Sequence, residues 1–590
     1  MNLPLPKMPA MLDQIGDGAE YDVVVLGAGG GGMSGRAYAA IDGARVLLVE
    51  STEYVGGTTA YSAGTTWIPG THLAPQVNKD DSLDKALHFL DQAVGDRSPR
   101  ALRQSLLAHG AEAVAKIEQH SHLKYRIRAF PPRYLSELED STLCGRALEP
   151  LPFDGRQLGE LLSLVRPPIP EFTVLGGMSV DRDDIVHLLG WKKSLKSVAY
   201  VARILLRHAS DRLRYPRGTR MLMGNALVGR LLLTLKERGV TLLMQARATE
   251  LHRDAQGVVS ELTLTQNGVR RRIRARGGVI LASGGFNRDP QRRKQLLPGA
   301  NMAWCPGAPG HTGTAHALAE SVGAHYGSGA MSNAFWAPVS LRKRADGSTA
   351  VFPHFVFDRA KPGMVTVDGE GRRFLNESTS YHLFGIAMQR AHRERPSIPA
   401  YLITDAEGLR KYGLGMVRPG GMGLSSALRD GYVTSAHSIE ELARKLKLPP
   451  KNLVQTVTRF NTYWPEGKDP EFQRGTTAYQ RANGDANWTG PNPSLGPVAK
   501  APFYAVRLYP GDIGAATGLQ TDEAARALDR DGQAIAGLYA VGNDQQSAMG
   551  GTYPGPGITI GPGLVFAYLA ARDSVARAKE AVTRGLAATA

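Results

Sequence analysis

The stretch Asp22–Glu50, DVVVLGAGGGGMSGRAYAAIDGARVLLVE, restricts the fold more than any other part of the chain. Val23 to Leu26 is an unbroken apolar run, as a parallel strand covered on both faces requires. Gly27, Gly29 and Gly32 follow in G-x-G-x-x-G spacing, with Ala28 between the first two. The first glycine makes a tight turn, the second lets the backbone approach a pyrophosphate, and the third lets the helix pack on the strand. Ser34, Ala37, Ala39 and Ala40 are small, as such a helix needs. A second strand, Ala44 to Val49, ends in Glu50. That is about the ~20-residue spacing at which a carboxylate bonds a ribose hydroxyl. Strand, turn, helix, strand and acid in this order predict a dinucleotide-binding unit, not merely a glycine-rich turn.

The next residues narrow the dinucleotide. Gly56, Gly57, Thr58, Thr59, Ser62, Ala63 and Gly64 form a small, hydroxyl-rich second loop suited to a cofactor lying extended along the domain. Together the two segments resemble the FAD-binding signature of the flavoprotein family that contains fumarate reductases and 3-ketosteroid dehydrogenases. The resemblance implies non-covalent FAD, with Glu50 on the adenosine ribose and the second loop along the pyrophosphate and flavin.

At 590 residues the chain is long enough for two or more domains. Its two cysteines, Cys144 and Cys305, are far apart and show no metal-ligand spacing, so no metal site is expected. Cysteine usage fits a reducing, cytoplasmic compartment. The N-terminal residues lack the apolar core of a signal peptide, and no run reaches the ~20 apolar residues of a membrane span. The net charge of +16 favours anionic surfaces at long range.

Asp81 to Gln119 has helical periodicity. The following Pro- and Gly-rich loop carries Tyr134 ahead of Gly145-Arg146 and Pro152-Phe153-Asp154. Trp191 to Arg220 is strongly basic: Lys192, Lys193, Lys196, Arg203, Arg207, Arg212, Arg214, Arg217 and Arg220 against Asp211 alone. Leu195, Val198, Ala199, Ala202, Leu205, Leu206, Ala209 and Leu213 recur at three- and four-residue steps, which predicts an amphipathic helix. Its stripe either packs on the protein, leaving the charges to water, or lies on an anionic membrane, at the inner face of which the protein would sit peripherally. No zinc spacing or recognition-helix pattern accompanies it, so nucleic acid is not an expected partner.

Asn267-Gly268 marks a hairpin turn between alternating segments. Leu281-Ala282-Ser283-Gly284-Gly285-Phe286 resembles the A-[ST]-G-G segment of FAD proteins and implies a return to the cofactor. In the family a backbone amide at the position of Ala248 meets the adenine. Near the C-terminus, Gly542-Asn543-Asp544 ends a strand, and Thr552-Tyr553-Pro554-Gly555-Pro556-Gly557 then leads through Ile558 into a helix. Such a corner stabilises an anion. The expected fold is α/β: a Rossmann-like FAD-binding domain, discontinuous over 1–286 and 498–590, with an α+β substrate domain inserted at 287–497. Within the insertion His311 stands where related enzymes often carry Asp. Phe335, Trp336, Phe352, Phe355 and Phe357 suggest an apolar wall. Arg372-Arg373-Phe374-Leu375-Asn376-Glu377 resembles a family run and is followed by Tyr381.

The dicarboxylate-binding cations of fumarate reductases have no counterpart in STSYHLFG or TYPGPGIT. Tyr-x-G-x-G at the flavin corner looks like the 3-ketosteroid Δ1-dehydrogenases. That resemblance implies that Tyr553 and the Gly557 amide bind the C3 oxygen, Tyr381 takes the C2 proton and Tyr134 assists. A hydride passes from C1 to flavin N5, and an external quinone-like acceptor reoxidises the flavin. A steroid or another apolar cyclic ketone is the expected partner. Alternatives are Δ4 dehydrogenation of a 5α-steroid, a non-steroid enone or ketone, and an FAD-binding electron carrier without substrate.

Overall fold

Strand β1 (Ala19–Leu26) divides its side chains between two cores. Val23 and Val25 enter one hydrophobic cluster, Val24 and Leu26 the other, and all four are buried. Burying such side chains contributes roughly 1.5–3 kcal/mol each, which fixes the register of the strand that carries the glycine turn. The computed structural model describes residues 8–129, 134–190, 194–355 and 358–589. Helix α1 (Gly30–Ile41) follows the turn, and β2 (Val46–Val49) pairs parallel to β1 with Val23 opposite Val46. The second strand is thus two residues shorter than Ala44 to Val49, because the chain is still turning out of α1.

The first sheet has the strand order Thr241–Leu243, β2, β1, Val269–Leu281, Val259–Gln266, Arg247–Arg253, and Ala534–Ala540 joins Val269–Leu281. Val269–Leu281 runs antiparallel to Val259–Gln266 through the Asn267-Gly268 turn, where both residues have positive φ, and parallel to β1. α1 packs against the C-terminal helix Ile560–Thr589. A Cβ on Gly35 would stand 3.4 Å from Ala567, so the small residues of α1 permit this close contact.

Helices α2 (Leu83–Val94) and α3 (Arg100–His120) occupy the stretch read as helical. A helical hairpin, α4 (Arg182–Gly190) and α5 (Leu195–Arg212), stands where the basic amphipathic stretch was read, and Trp191, Lys192 and Lys193 lie outside the described residues. α5 stops at Arg212, and Arg220 begins a short strand, so the basic run is not one helix to its end.

A second sheet is antiparallel throughout. Its order is Thr349–Pro353, Ala334–Lys343, Phe503–Ala515, Ala400–Thr404, Met364–Val367, with Val433–Ala436 also on Phe503–Ala515. Phe503–Ala515 belongs to this second sheet although it lies beyond the expected boundary at 497/498. We propose Ala515 as the nearer boundary.

Candidate active site

Between the two sheets lies a cavity of about 790 Å³. Gly27, Gly29, Glu50, Gly57, Thr58, Thr59, Ser62, Ala63, Gly64, Ala248, Ala282, Ser283, Gly284, Gly542, Asn543 and Gly557 line it, as read from the sequence. Its far end is walled by Tyr134, Tyr381, Tyr479, Tyr553, Phe335 and Phe355. Segments far apart in the chain therefore meet in one elongated space.

The glycine turn is built tightly. Gly27 has φ of +106°, and a Cβ there would lie 2.3 Å from the Ala282 carbonyl oxygen. On Gly32 a Cβ would lie 1.9 Å from the Gly27 carbonyl oxygen, so Gly32 serves packing and does not reach the cavity. Glu50 is fixed between the glycine turn and its own loop. Its Oε2 accepts from the Ala28 amide at 2.8 Å, and its Oε1 accepts from the Thr52 amide and hydroxyl, each at 2.8 Å.

Six expected cofactor residues sit behind the wall: Ala28, Gly32, Gly56, Gly285, Asp544 and Ile558. Asp544 shows how that layer works. It is fully buried and accepts from the Ser283 amide, from the Gly285 amide at 2.8 Å and from the Ser283 hydroxyl at 3.0 Å. Burial pushes its carboxyl up, but His316 and these amides outweigh that and hold it below the ordinary range. The Ala-Ser-Gly-Gly turn is thereby pinned to the Gly-Asn-Asp turn.

Three tyrosines converge. The Tyr134 hydroxyl donates to the Tyr381 hydroxyl at 3.2 Å. Ring centroids lie 5.2 Å apart for Tyr381 and Tyr553 and 5.7 Å for Tyr134 and Tyr553, the latter pair stacked. Tyr381 opens the helix Tyr381–His392, whose N-cap Ser380 accepts from the Leu383 amide. Burial, then the neighbouring Tyr134 and Tyr553 phenols, push Tyr381 well above the ordinary tyrosine range. Burial also raises Tyr553. Gly557 closes the site with φ of +88°, and a Cβ would stand 2.6 Å from the Thr65 carbonyl oxygen. Its own carbonyl is turned to the Trp67 and Gly561 amides.

Phe335 and Phe355 line the cavity as expected, but Trp336 and Phe352 do not. Successive residues of a strand face opposite ways, so Phe335 and Trp336 part. Phe357 lies outside the described residues. Tyr479 was not read from the sequence. Its ring lies 5.0 Å from Tyr134, and no motif surrounds it. His311 is buried in the wall with Nε2 3.4 Å from the Thr58 hydroxyl, and burial pushes its imidazole down to about 4.

A profile of the FAD binding domain family matches residues 22–560. The chain belongs to this family. It is an FAD-dependent oxidoreductase. The flavoprotein is similar to the 3-oxosteroid 1-dehydrogenase of Mycolicibacterium smegmatis, at 35% identity over 95% of this chain and 98% of the relative. It is 34% identical to the 4-oxocyclohex-2-ene-1-carboxylate 5-dehydrogenase of Sinomonas cyclohexanicum, over 96% and 95% of the two chains. Among solved structures, the 3-ketosteroid Δ1-dehydrogenase of Sterolibacterium denitrificans in complex with 1,4-androstadiene-3,17-dione superposes with a TM-score of 0.87 at 33% identity, covering 94% of this chain and 99% of that one. The cavity fits the cofactor: nothing stands within 4 Å of a Cβ built on Gly29, and His311 Nδ1 is buried in the wall with no hydrogen-bond partner among the described residues.

Proposed function

We propose that the flavoprotein desaturates a 3-ketosteroid between C1 and C2. The meeting of Tyr134, Tyr381 and Tyr553 at the aromatic end of the cavity carries this reading. Gly27, Gly29 and the N-terminus of α1 hold the pyrophosphate of FAD, Glu50 its ribose, the second loop its middle, Ala248 its adenine and Asn543 with Gly557 its flavin end. When bound there, FAD supplies the acceptor for a hydride.

The residues of the chain supply the acid–base chemistry. Tyr553 and the Gly557 amide donate to the ketone oxygen and favour its enolate. Tyr381 first gives up its own proton to solvent, and its phenolate then takes the acidic C2 proton. Tyr134 donates to the Tyr381 oxygen and stabilises that phenolate before the transfer. Phe335, Phe355 and Tyr479 hold the apolar rings and exclude water. An external quinone-like acceptor reoxidises the enzyme. The similarity to a 3-oxosteroid 1-dehydrogenase over nearly the whole chain supports this reading.

A second reading rests on Arg128. Arg128 lines the cavity, donates to the Thr65 hydroxyl at 3.2 Å and pairs with Glu149 at 3.4 Å. A cyclohexanone carboxylate would share this cation with Glu149, and a relative, the 4-oxocyclohexanecarboxylate 2-dehydrogenase of Sinomonas cyclohexanicum, is named for such a substrate. Steady-state kinetics with 4-androstene-3,17-dione and with 4-oxocyclohexanecarboxylate separate the two. Greater kcat/KM on the steroid, lost in Tyr381→Phe, supports the first reading. Turnover of the carboxylate alone, lost in Arg128→Gln, replaces it. Full turnover in both Tyr381→Phe and Tyr553→Phe removes the site assignment.

We also infer a cytoplasmic location and a peripheral membrane contact through residues 191–220. No helix among the described residues is long and apolar enough to cross a membrane, and the support is the exposure of the apolar stripe of α5.

A further inference from the structure

Helix α5 is inside out. At 100° per residue, Leu195, Val198, Ala202, Leu206, Ala209 and Leu213 fall on one stripe, and this stripe faces away from the protein. Leu195 is 89% exposed, Leu206 72% and Leu213 86%. The inward face is mostly polar: Ser197, Ile204, His208 and Asp211. Each of its polar residues is held by a hydrogen bond, with His208 Nδ1 left without a partner among the described residues. The Ser197 hydroxyl meets His187 Nδ1 at 3.0 Å, His208 Nε2 donates to the Leu175 carbonyl at 2.9 Å, and Asp211 accepts from the Thr219 amide and hydroxyl, each at 2.8 Å. The apolar stripe therefore does not serve the fold.

Charge separates in the same way. Lys196, Arg203, Arg212 and Arg214 are exposed. The acids turn inward: Asp211 to Thr219, and Asp184 to Arg220 at 2.7 Å and Tyr200 at 2.7 Å. Exposed leucines flanked by outward cations match a helix lying in the plane of an anionic bilayer. A second copy of the chain would bring like charges together, which opposes association.

An independent observation lies at Leu175. It sits at the tip of the hairpin Thr173–Val174/Met178–Ser179, 66% exposed, with φ of +48°. A leucine in this left-handed conformation is strained where glycine would not be. The His208 bond holds the tip beside α5. Phe172, three residues earlier, and Ile169, six residues earlier, line the cavity, and Phe172 stacks on Phe352 at 4.8 Å. Three residues span at most about 10 Å, so tip and cavity wall adjoin.

Resting on the reading that residues 191–220 touch a membrane, we propose that Leu175 and the outward stripe of α5 form one docking face for an anionic bilayer. That face sets the cavity wall at Ile169 and Phe172 against lipid and admits apolar substrate without passage through bulk water.

Flotation of the holoenzyme with phosphatidylcholine vesicles, with and without phosphatidylglycerol, tests the contact. Turnover of steroid held in vesicles or delivered by cyclodextrin tests the route. The wild type floats with the anionic vesicles and is released by salt. Leu206→Asp/Leu213→Asp loses flotation and about tenfold of the vesicle-fed turnover, but keeps the cyclodextrin-fed rate. Leu175→Asp does the same from the hairpin side. A wild type that never floats overturns the membrane reading and the route with it. Lost flotation with unchanged vesicle-fed turnover leaves the contact standing and overturns the route. Equal flotation on phosphatidylcholine alone overturns the anionic partner. A wild-type dimer that the double variant converts to monomer assigns the face to a second copy and overturns the proposal.

Discussion

The hydroxyl of Tyr134 reaches the hydroxyl of Tyr381 at 3.2 Å across 247 residues of sequence, and it is the donor. A phenolate forming on Tyr381 therefore keeps a hydrogen bond in a site where burial opposes charge. Hydrogen bonds to charged groups are worth about 1.5–3 kcal/mol. Tyr134→Phe is expected to lower kcat by roughly 10- to 100-fold with little change in the affinity for FAD. Stopped-flow measurement of the reductive half-reaction checks this, and an unchanged rate removes Tyr134 from the proton path.

The pH dependence follows from the direction of the Tyr381 shift. Burial and the adjoining phenols favour its neutral form, so the phenolate fraction grows with pH through and beyond the neutral range. The kcat/KM profile is expected to rise toward alkaline pH in the wild type and to be lost in Tyr381→Phe. For stability the sign is the opposite. The raised group contributes fully below the unfolded tyrosine value of about 10, and the contribution disappears as pH climbs through the folded value. Activity and thermal stability should therefore diverge at alkaline pH, which paired rate and melting measurements read directly.

His382 sets the acid side. Its Nδ1 accepts from the Trp336 amide at 3.2 Å, and its Nε2 donates to the Gly551 carbonyl at 3.1 Å, so the ring is held neutral. Burial pushes it down to about 4. A depressed histidine contributes stability above its unfolded value near 6.5 and loses it as pH falls toward the folded value. The loss amounts to roughly 3 kcal/mol. Chemical denaturation between these limits should show a steep decline that His382→Gln flattens.

Glu377, within the run that resembles the family motif, is structural. It is fully buried, accepts from Arg373 at 2.8 and 3.0 Å and from Arg474 at 3.1 Å, and caps the Thr366 amide at 3.1 Å. Breaking such a buried pair from one side costs about 3–5 kcal/mol. Glu377→Gln should lower Tm sharply while folded enzyme keeps nearly wild-type kcat. A large loss of kcat without a change in Tm would assign Glu377 to the chemistry instead.

The residues that shape the glycine-turn end of the cavity were legible because each carries a local requirement. Gly27 needs a positive φ, Gly32 admits no Cβ, and Glu50 stands at a fixed distance from the turn. Tyr381, Tyr553 and Gly557 were legible through their matched segments. Tyr479 was not, because its place against Tyr134 is set by tertiary packing alone. The helical period of α5 was plain in the sequence, but not its orientation. Periodicity gives the stripe, and only the partners of Ser197, His208 and Asp211 decide which face turns inward. The strand Phe503–Ala515 was missed for a related reason: the turn-rich stretch before it marks a break in the chain, not the sheet it then joins.

The most direct test of the central claim is anaerobic mixing of the purified holoenzyme with a 4-ene-3-ketosteroid, following flavin absorbance and identifying the product by mass and NMR. Bleaching with formation of the 1,4-diene-3-one is the predicted result. A protein that holds FAD yet neither bleaches nor yields that product would contradict the steroid Δ1 assignment and leave the fold untouched.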